Sequence, residues 1–229
     1  MKKILLLLIS FILLLSLVAC NDGDGTNNSG GDPSGTSSTV LNEAEWDQMI
    51  SDDMLANYTV IMEGNMSVTT NGKEEGTSDV KQKTKVANDK LSMEIFAGDQ
   101  SVDTMVIDGD LAKAQMTQTS QLFKTLMAEY DNFTYDADKK IYKVTESVTI
   151  DTVLKGFGYQ DEGAVREFDV PTVIVMRDAE ITVSEDGKLV SFVCDYSQSM
   201  TMTDGDEVVT SGVVTWSFSD FGTTVIEEN

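Results

Sequence analysis

From Tyr58 onward, apolar and polar residues alternate with period two over most of the chain. Tyr58, Val60, Met62, Met66 and Val68 alternate with Thr59, Glu63, Asn65, Ser67 and Thr69. This pattern predicts a strand with one dry and one wet face. Asn71-Gly72 then supplies hairpin chemistry. Val80–Val86 reads as a more polar return strand near a sheet edge. Turns at Asn88-Asp89, Gly98-Asp99 and Asp108-Gly109 separate strands around Leu91, Met93 and Ile95, then 102–107, then 111–116. Neighbouring strands joined by such short turns predict an antiparallel meander. Further on, Phe133-Thr134-Tyr135 and Ile141–Val144 form a short hairpin pattern, and strands resume at 172–183. Val190, Phe192, Cys194, Tyr196, Met200 and Met202 share one parity, as do Val208, Val214, Trp216 and Phe218 in the last strand.

The period changes in three places. Asn42 is an N-cap candidate, with Glu43 and Glu45 in the first turn and an apolar stripe at Trp46, Met49 and Ile50. Leu122, Phe123, Leu126, Met127 and Tyr130 form a second helical stripe after Thr119 or Ser120. The stretch 146–171 is read as a short helix over Val148–Leu154, ended by Gly156-Phe157-Gly158, followed by a loop that contains Arg166. The sum is an α+β domain: a large curved, mostly antiparallel half-barrel sheet of about ten strands. Two or three helices are expected on its concave face.

The first forty residues follow another logic. Lys2 and Lys3 precede an apolar run, Ile4–Val18, broken only by serines, and Ala19-Cys20 closes it. This is the layout of a secretory signal, and the run is shorter than the roughly 20 residues a spanning helix needs. Leu17-Val18-Ala19-Cys20 resembles the bacterial lipobox, which implies cleavage before Cys20 and a lipid on its sulfur. An ordinary signal with an incidental cysteine, or an uncleaved anchor, is the alternative. Residues 21–40 are Gly, Ser, Thr, Asn and Asp with one proline. They have too little apolar surface to offset the entropy of ordering and read as a tether. The expected organisation is a signal peptide at 1–19, a lipidated cysteine and tether at 20–40, and one β-rich domain at 41–229.

Composition narrows the function classes. The chain has 39 acidic against 16 basic side chains, and removal of Lys2 and Lys3 leaves a formal charge of −25. Such a surface repels nucleic acid and anionic head groups, so the lipid is the expected membrane attachment and the expected state is a monomer. Histidine is absent, which removes Ser-His-Asp and Cys-His catalysis and zinc sites of the usual kind. With Cys20 assigned to lipid, Cys194 stands alone, so no internal disulfide can form in the mature chain. Its phase with Phe192 and Tyr196 reads as a buried face where cysteine acts as a small hydrophobe. A segment starting Asp22-Gly23-Asp24 has Pro33 where a calcium loop needs glutamate, and the other Asp-Gly pairs are explained as turns. No phosphate loop, nucleophile elbow or metal-ligand cluster is present. No catalytic residue, metal or cofactor is expected, and the chain is read as a non-enzyme.

The opening Trp-containing helix leads into Ala56-Asn57-Tyr58-Thr59-Val60, and the domain closes Phe218-Ser219-Asp220-Phe221-Gly222-Thr223-Thr224-Val225. In these features and in its strand-turn pattern the chain resembles lipoproteins of Gram-positive gut bacteria. More loosely, it is similar to the lipoprotein-carrier fold of the LolA, LolB and LppX type. That resemblance implies a half-barrel of about eleven strands closed by helices over an apolar cavity. The candidate cavity residues are Met62, Met66, Met93, Ile95, Phe192, Tyr196, Met200 and Trp216 on the dry face, with Phe123 and Met127 from the second helical stripe. Flexible thioethers suit an adaptable apolar site. Two functions follow as expectations: a lipid- or apolar-ligand carrier, or a surface-interaction lipoprotein whose dry face is simply a filled core.

Overall fold

A computed structural model describes residues 40–87, 90–109, 112–113, 124, 127, 130–159, 165–202 and 205–226. Its frame is one open antiparallel sheet of ten strands. These are β1 (Asn57–Thr70), β2 (Lys73–Ala87), β3 (Lys90–Ala97), β4 (Gln100–Asp108), β5 (Phe133–Asp136), β6 (Ile141–Val144), β7 (Val148–Tyr159), β8 (Val165–Val183), β9 (Leu189–Thr201) and β10 (Glu207–Ser219). The order across the sheet is β4-β3-β2-β1-β10-β9-β8-β6-β5, with β7 also paired to β8. Two meanders therefore meet where the first strand pairs with the last: β1 lies against β10 from Thr59↔Ser219 to Thr70↔Val208.

Turn chemistry places the hairpins. Asn71 and Gly72 both have positive φ, 50° and 76°, the geometry of a type I′ turn, whose twist matches that of the strands it joins. Asn71 also ties this turn to β10: its Oδ1 accepts from the Glu207 amide at 2.9 Å, and its own backbone N–H donates to Glu207 O at 2.8 Å. At the other end of β1, Asn57 and Thr59 hold the chain's closing segment. Thr224 N donates to Asn57 Oδ1 at 2.8 Å, and the Thr59 and Thr224 hydroxyls lie 3.0 Å apart.

One α-helix is described, α1 (Glu43–Met49), with the expected capping box: Asn42 Oδ1 accepts from Glu45 N, and Glu45 Oε2 accepts from Asn42 N. Short 3-10 turns stand at Met54–Ala56 and Tyr130–Asn132. The expected second helix over 119–130 falls mostly outside the described residues, as does Phe123. Two or three helices are not borne out.

The stretch 146–171 corrects the sequence reading most clearly. Val148–Leu154 is strand, not helix, and 165–171 is strand, not loop: β7 and β8 form a long hairpin from Val148↔Met176 to Tyr159↔Val165. Val148, Ile150 and Leu154 fit either period over so short a window, and pairing along β8 decides it. Beyond β7, a bulge between Arg177 and Glu180, with Asp178 at φ 50°, interrupts β8. The extra residue switches the buried parity from Ile174 and Met176 to Ala179 and Ile181, and lets the same edge of β8 pair next with β6.

Three smaller expectations also change. β2 is not near an edge; it is flanked by β1 and β3, and β4 is the edge. Its polarity arises because lysines occupy its wet face while Gln82 and Thr84 share the dry one. The strand expected at 111–116 is not found among the described residues, where Ala112 and Lys113 are helical. Val190 is exposed, because a register shift at Thr182/Val183 gives the buried position to Leu189 instead. Among the described residues, no helix is long and apolar enough to cross a membrane.

Candidate functional site

Strand register assembles the dry face in rows. Met62 on β1 lies opposite Trp216 on β10, which lies opposite Phe192 on β9, which lies opposite Ile181 on β8. After a row of Gly64, Val214 and Cys194 comes one that runs Met66, Gly212, Tyr196, Met176. The row beyond it runs Val68, Thr210, Gln198, Ile174. Met200 stands at the end, between Val208 and Thr172. On the other side of β1, Met93 on β3 faces Thr84 on β2, and Ile95 faces Gln82. Ring packing fastens the centre. Trp216 lies 5.3 Å from Phe192 and 6.0 Å, edge-on, from Tyr196.

Eight of the ten sequence-marked residues belong to one buried cluster: Met62, Met66, Met93, Phe192, Tyr196, Met200 and Trp216 on the sheet, and Met127 at the α1 end, where its carbonyl accepts from Trp46 Nε1 at 2.6 Å. Ile95 is only half-buried and lies outside this cluster, because its row runs toward the β2–β4 edge. Phe123 and the expected lipidation site Cys20 lie outside the described residues. The sequence reading missed Ile174, Met176 and Ile181 on β8, although the alternation of Thr172, Ile174 and Met176 was a usable signal. It also missed Gln198, whose polarity hid a position in phase with Tyr196 and Met200.

Gln198 is fully buried, and Tyr196 Oη donates to its Oε1 at 2.8 Å. Among the described residues, the amide nitrogen Nε2 has no hydrogen-bond partner. Gln82 Oε1, on the β2 side, is likewise buried without a partner among the described residues. Burial pushes the Tyr196 hydroxyl far above the ordinary tyrosine value, so it keeps its proton and its role as donor.

Cys194 sits in the same sheet face, buried, between Phe192 and Tyr196. Burial first, and the neighbouring Asp195 charge second, push its thiol up to about 12. The sign follows from linkage: above about pH 8.5 an unfolded cysteine ionises, while the folded one holds its proton. Its contribution to stability is therefore present at neutral pH and declines as pH rises from about 9 toward 12. In the native protein at pH 8, Cys194 is expected to resist iodoacetamide until denaturant is added. Rapid alkylation of the folded chain, seen by mass spectrometry, would contradict the burial.

Two grooves open elsewhere. One of about 320 Å³ is bordered by Glu63, Asp79, Lys81, Phe96 and Asp99. One of about 380 Å³ lies along Lys83, Lys85, Glu94, Thr104 and Val106. Charged wet-face side chains border both, and none of the ten sequence-marked residues lines either. Among the described residues, no group of three or more His, Cys, Asp or Glu side chains converges to hold a metal.

No protein-family model and no curated protein matches the chain. Among solved structures, the chain is similar to a LolA superfamily protein from Nitrosomonas europaea. The match has a TM-score of 0.28 and 10% identity, and covers 80% of this chain and 92% of that one. At that level the functional reading rests on the sheet itself.

Proposed function

We propose that this chain is a membrane-anchored, extracytoplasmic lipoprotein whose dry sheet face receives the apolar part of a lipid or similar ligand. One observation carries the ligand half of this reading. Met62, Met66, Met93, Met176 and Met200 lie on one buried face spanning β1, β3, β8 and β9, beside the rings of Phe192, Tyr196 and Trp216. Thioethers are flexible and polarisable, so a surface built from them adapts to irregular hydrocarbon. A carrier needs such adaptability; a static core does not. The anchoring half rests on the lipobox-like Leu17-Val18-Ala19-Cys20. Acyl chains on Cys20 would hold an acidic globule at a membrane that its charge alone does not favour.

A second reading has its own support. The same side chains are almost completely buried, as in a filled core, which favours a lipoprotein that acts through its acidic exterior. One preparation separates the two readings. The full chain is purified in a steroid detergent, which offers no competing acyl chain, and is titrated with the hydrocarbon probe 1-dodecylpyrene. Saturable uptake, with lipid found by mass spectrometry in the purified protein, is expected of a carrier. An empty protein with no uptake leaves the filled-core reading. Anchoring has a separate test. Cys20→Ser is expected to release the protein from washed membranes and to remove the acyl mass. A variant that remains embedded would defeat the lipobox assignment.

A further inference from the structure

The dry face is apolar except for a few positions, and one of them is a fully buried amide. Gln198 has no solvent-accessible surface, yet its Nε2 carries two N–H donors with no acceptor among the described residues. A buried amide donor left unpaired costs about 1–3 kcal/mol, and native interiors rarely keep one without a use. Its orientation is fixed from the other end. Tyr196 Oη donates to Oε1, which turns the nitrogen away from Tyr196. The register places Gln198 between Thr210 and Ile174, one row beyond Met66 and Tyr196 and next to Met200. The donor therefore stands inside the methionine-lined surface assigned to the ligand.

We infer that Gln198 Nε2 is the polar reader of the site, donating to a carbonyl oxygen at the head of an acyl chain that lies along the dry face. The inference rests on the carrier reading and refines it: the ligand is an acyl compound bearing a hydrogen-bond acceptor, not plain hydrocarbon. An acyl carbonyl suits the setting because it accepts a hydrogen bond without carrying charge. An ionised head group would need a counter-charge, and none of the described residues in the dry-face rows around Gln198 is basic: those rows hold Met66, Val68, Val208, Thr210, Ile174 and Thr172. Free acid and ester share the carbonyl and are separated by experiment. Tyr196 acts as a positioning residue, since loss of its hydroxyl frees the amide to rotate.

The test uses the full chain in steroid detergent with three probes of equal length: 1-pyrenedodecanoic acid, its methyl ester, and 1-dodecylpyrene, which has no carbonyl. Wild type is expected to bind the ester about tenfold tighter than the hydrocarbon, the scale of one buried hydrogen bond. Binding of the free acid should approach that of the ester at low pH and fall as the acid ionises. Gln198→Leu is expected to bring the ratio of hydrocarbon to ester dissociation constants from about ten to about one, whatever its effect on binding of the three probes as a group. Because Gln198→Leu removes the acceptor of the Tyr196 Oη hydrogen bond, the double variant Tyr196→Phe/Gln198→Leu, which replaces both polar partners by apolar groups of similar shape, supplies a second folded reference. The same loss of preference is expected there. An ester preference that survives either variant, or is absent from wild type while 1-dodecylpyrene still binds, overturns the role of Gln198 and leaves the carrier reading standing. Failure of wild type to bind any of the three removes the carrier reading, and this inference with it.

Discussion

Trp46→Ala is expected to destabilise the domain by about 4 kcal/mol, within the 3–5 kcal/mol typical of deleting a buried tryptophan side chain. Trp46 is fully buried and is the hub of an aromatic cluster, with ring centroids 4.9 Å from Phe133, 5.1 Å from Tyr142 and 5.6 Å from Tyr130. It joins α1 to the β5–β6 end of the sheet. Its Nε1 donates to the Met127 carbonyl, so truncation also leaves that acceptor unpaired, adding to the loss. Around it, Tyr130 Oη donates to Leu41 O at 2.6 Å, and Tyr142 Oη accepts from the Leu41 amide. The chain entering α1 is thus pinned by two tyrosines of the same cluster. Trp46→Phe keeps most of the ring contact and is expected to cost less than half as much. The measurement is urea unfolding followed by the fluorescence of Trp216, the only other tryptophan. A shift under 1 kcal/mol for Trp46→Ala would show that the cluster does not hold the helix to the sheet.

Gly212→Ala is expected to cost about 3 kcal/mol, the upper part of the overpacking range. A Cβ there would stand 2.1 Å from Asn65 O and 3.1 Å from Met66 Sδ. The first contact is backbone of the paired strand and cannot move without parting β1 from β10. These two strands join the meanders at the middle of the sheet, so the strain falls where the fold can least relax. In a domain of this size, 3 kcal/mol lowers Tm by about 6–12 °C. Gly64→Ala is the companion variant, with Val213 O 2.6 Å from the new Cβ, and a smaller loss is expected. Circular dichroism melts of the three proteins check the order. Equal melting temperatures for Gly212→Ala and wild type would mean that β1 and β10 approach less closely than described.

Both variants also bear on the candidate site. Gly212 lies in the row between Met66 and Tyr196. Its missing side chain is the space into which the Met66 sulfur reaches. Trp46 sits at the far end of the same dry face, so its loss tests the frame without touching the Gln198 neighbourhood.

Local sequence determined the strands of both meanders. Period-two alternation fixed which side chains of β1, β10 and β9 from Phe192 onward face inward, and Asn71-Gly72 and Asp186-Gly187 fixed where the chain turns, because Asn71, Gly72 and Gly187 carry the positive φ that the turns require. Asn42 and Glu45 likewise announced the start of α1. These features depend on neighbours a few residues away, so the sequence alone was enough to read them. Tertiary structure decided what depends on partners far along the chain. Val148–Leu154 became a strand because β8 offered a long edge to pair with. The bulge at Asp178 changed the parity of β8, which alternation alone could not reveal. The lysine-rich β2 lies inside the sheet because β1 and β3 both pair with it, whatever its polarity suggested. Gln198 is the sharpest case: as a residue type it belongs in water, and only the sheet folding around it made its amide a buried donor. Its phase with Tyr196 and Met200 was local, but the strands that shut its amide away from water, β8 and β10, pair with it from elsewhere in the chain.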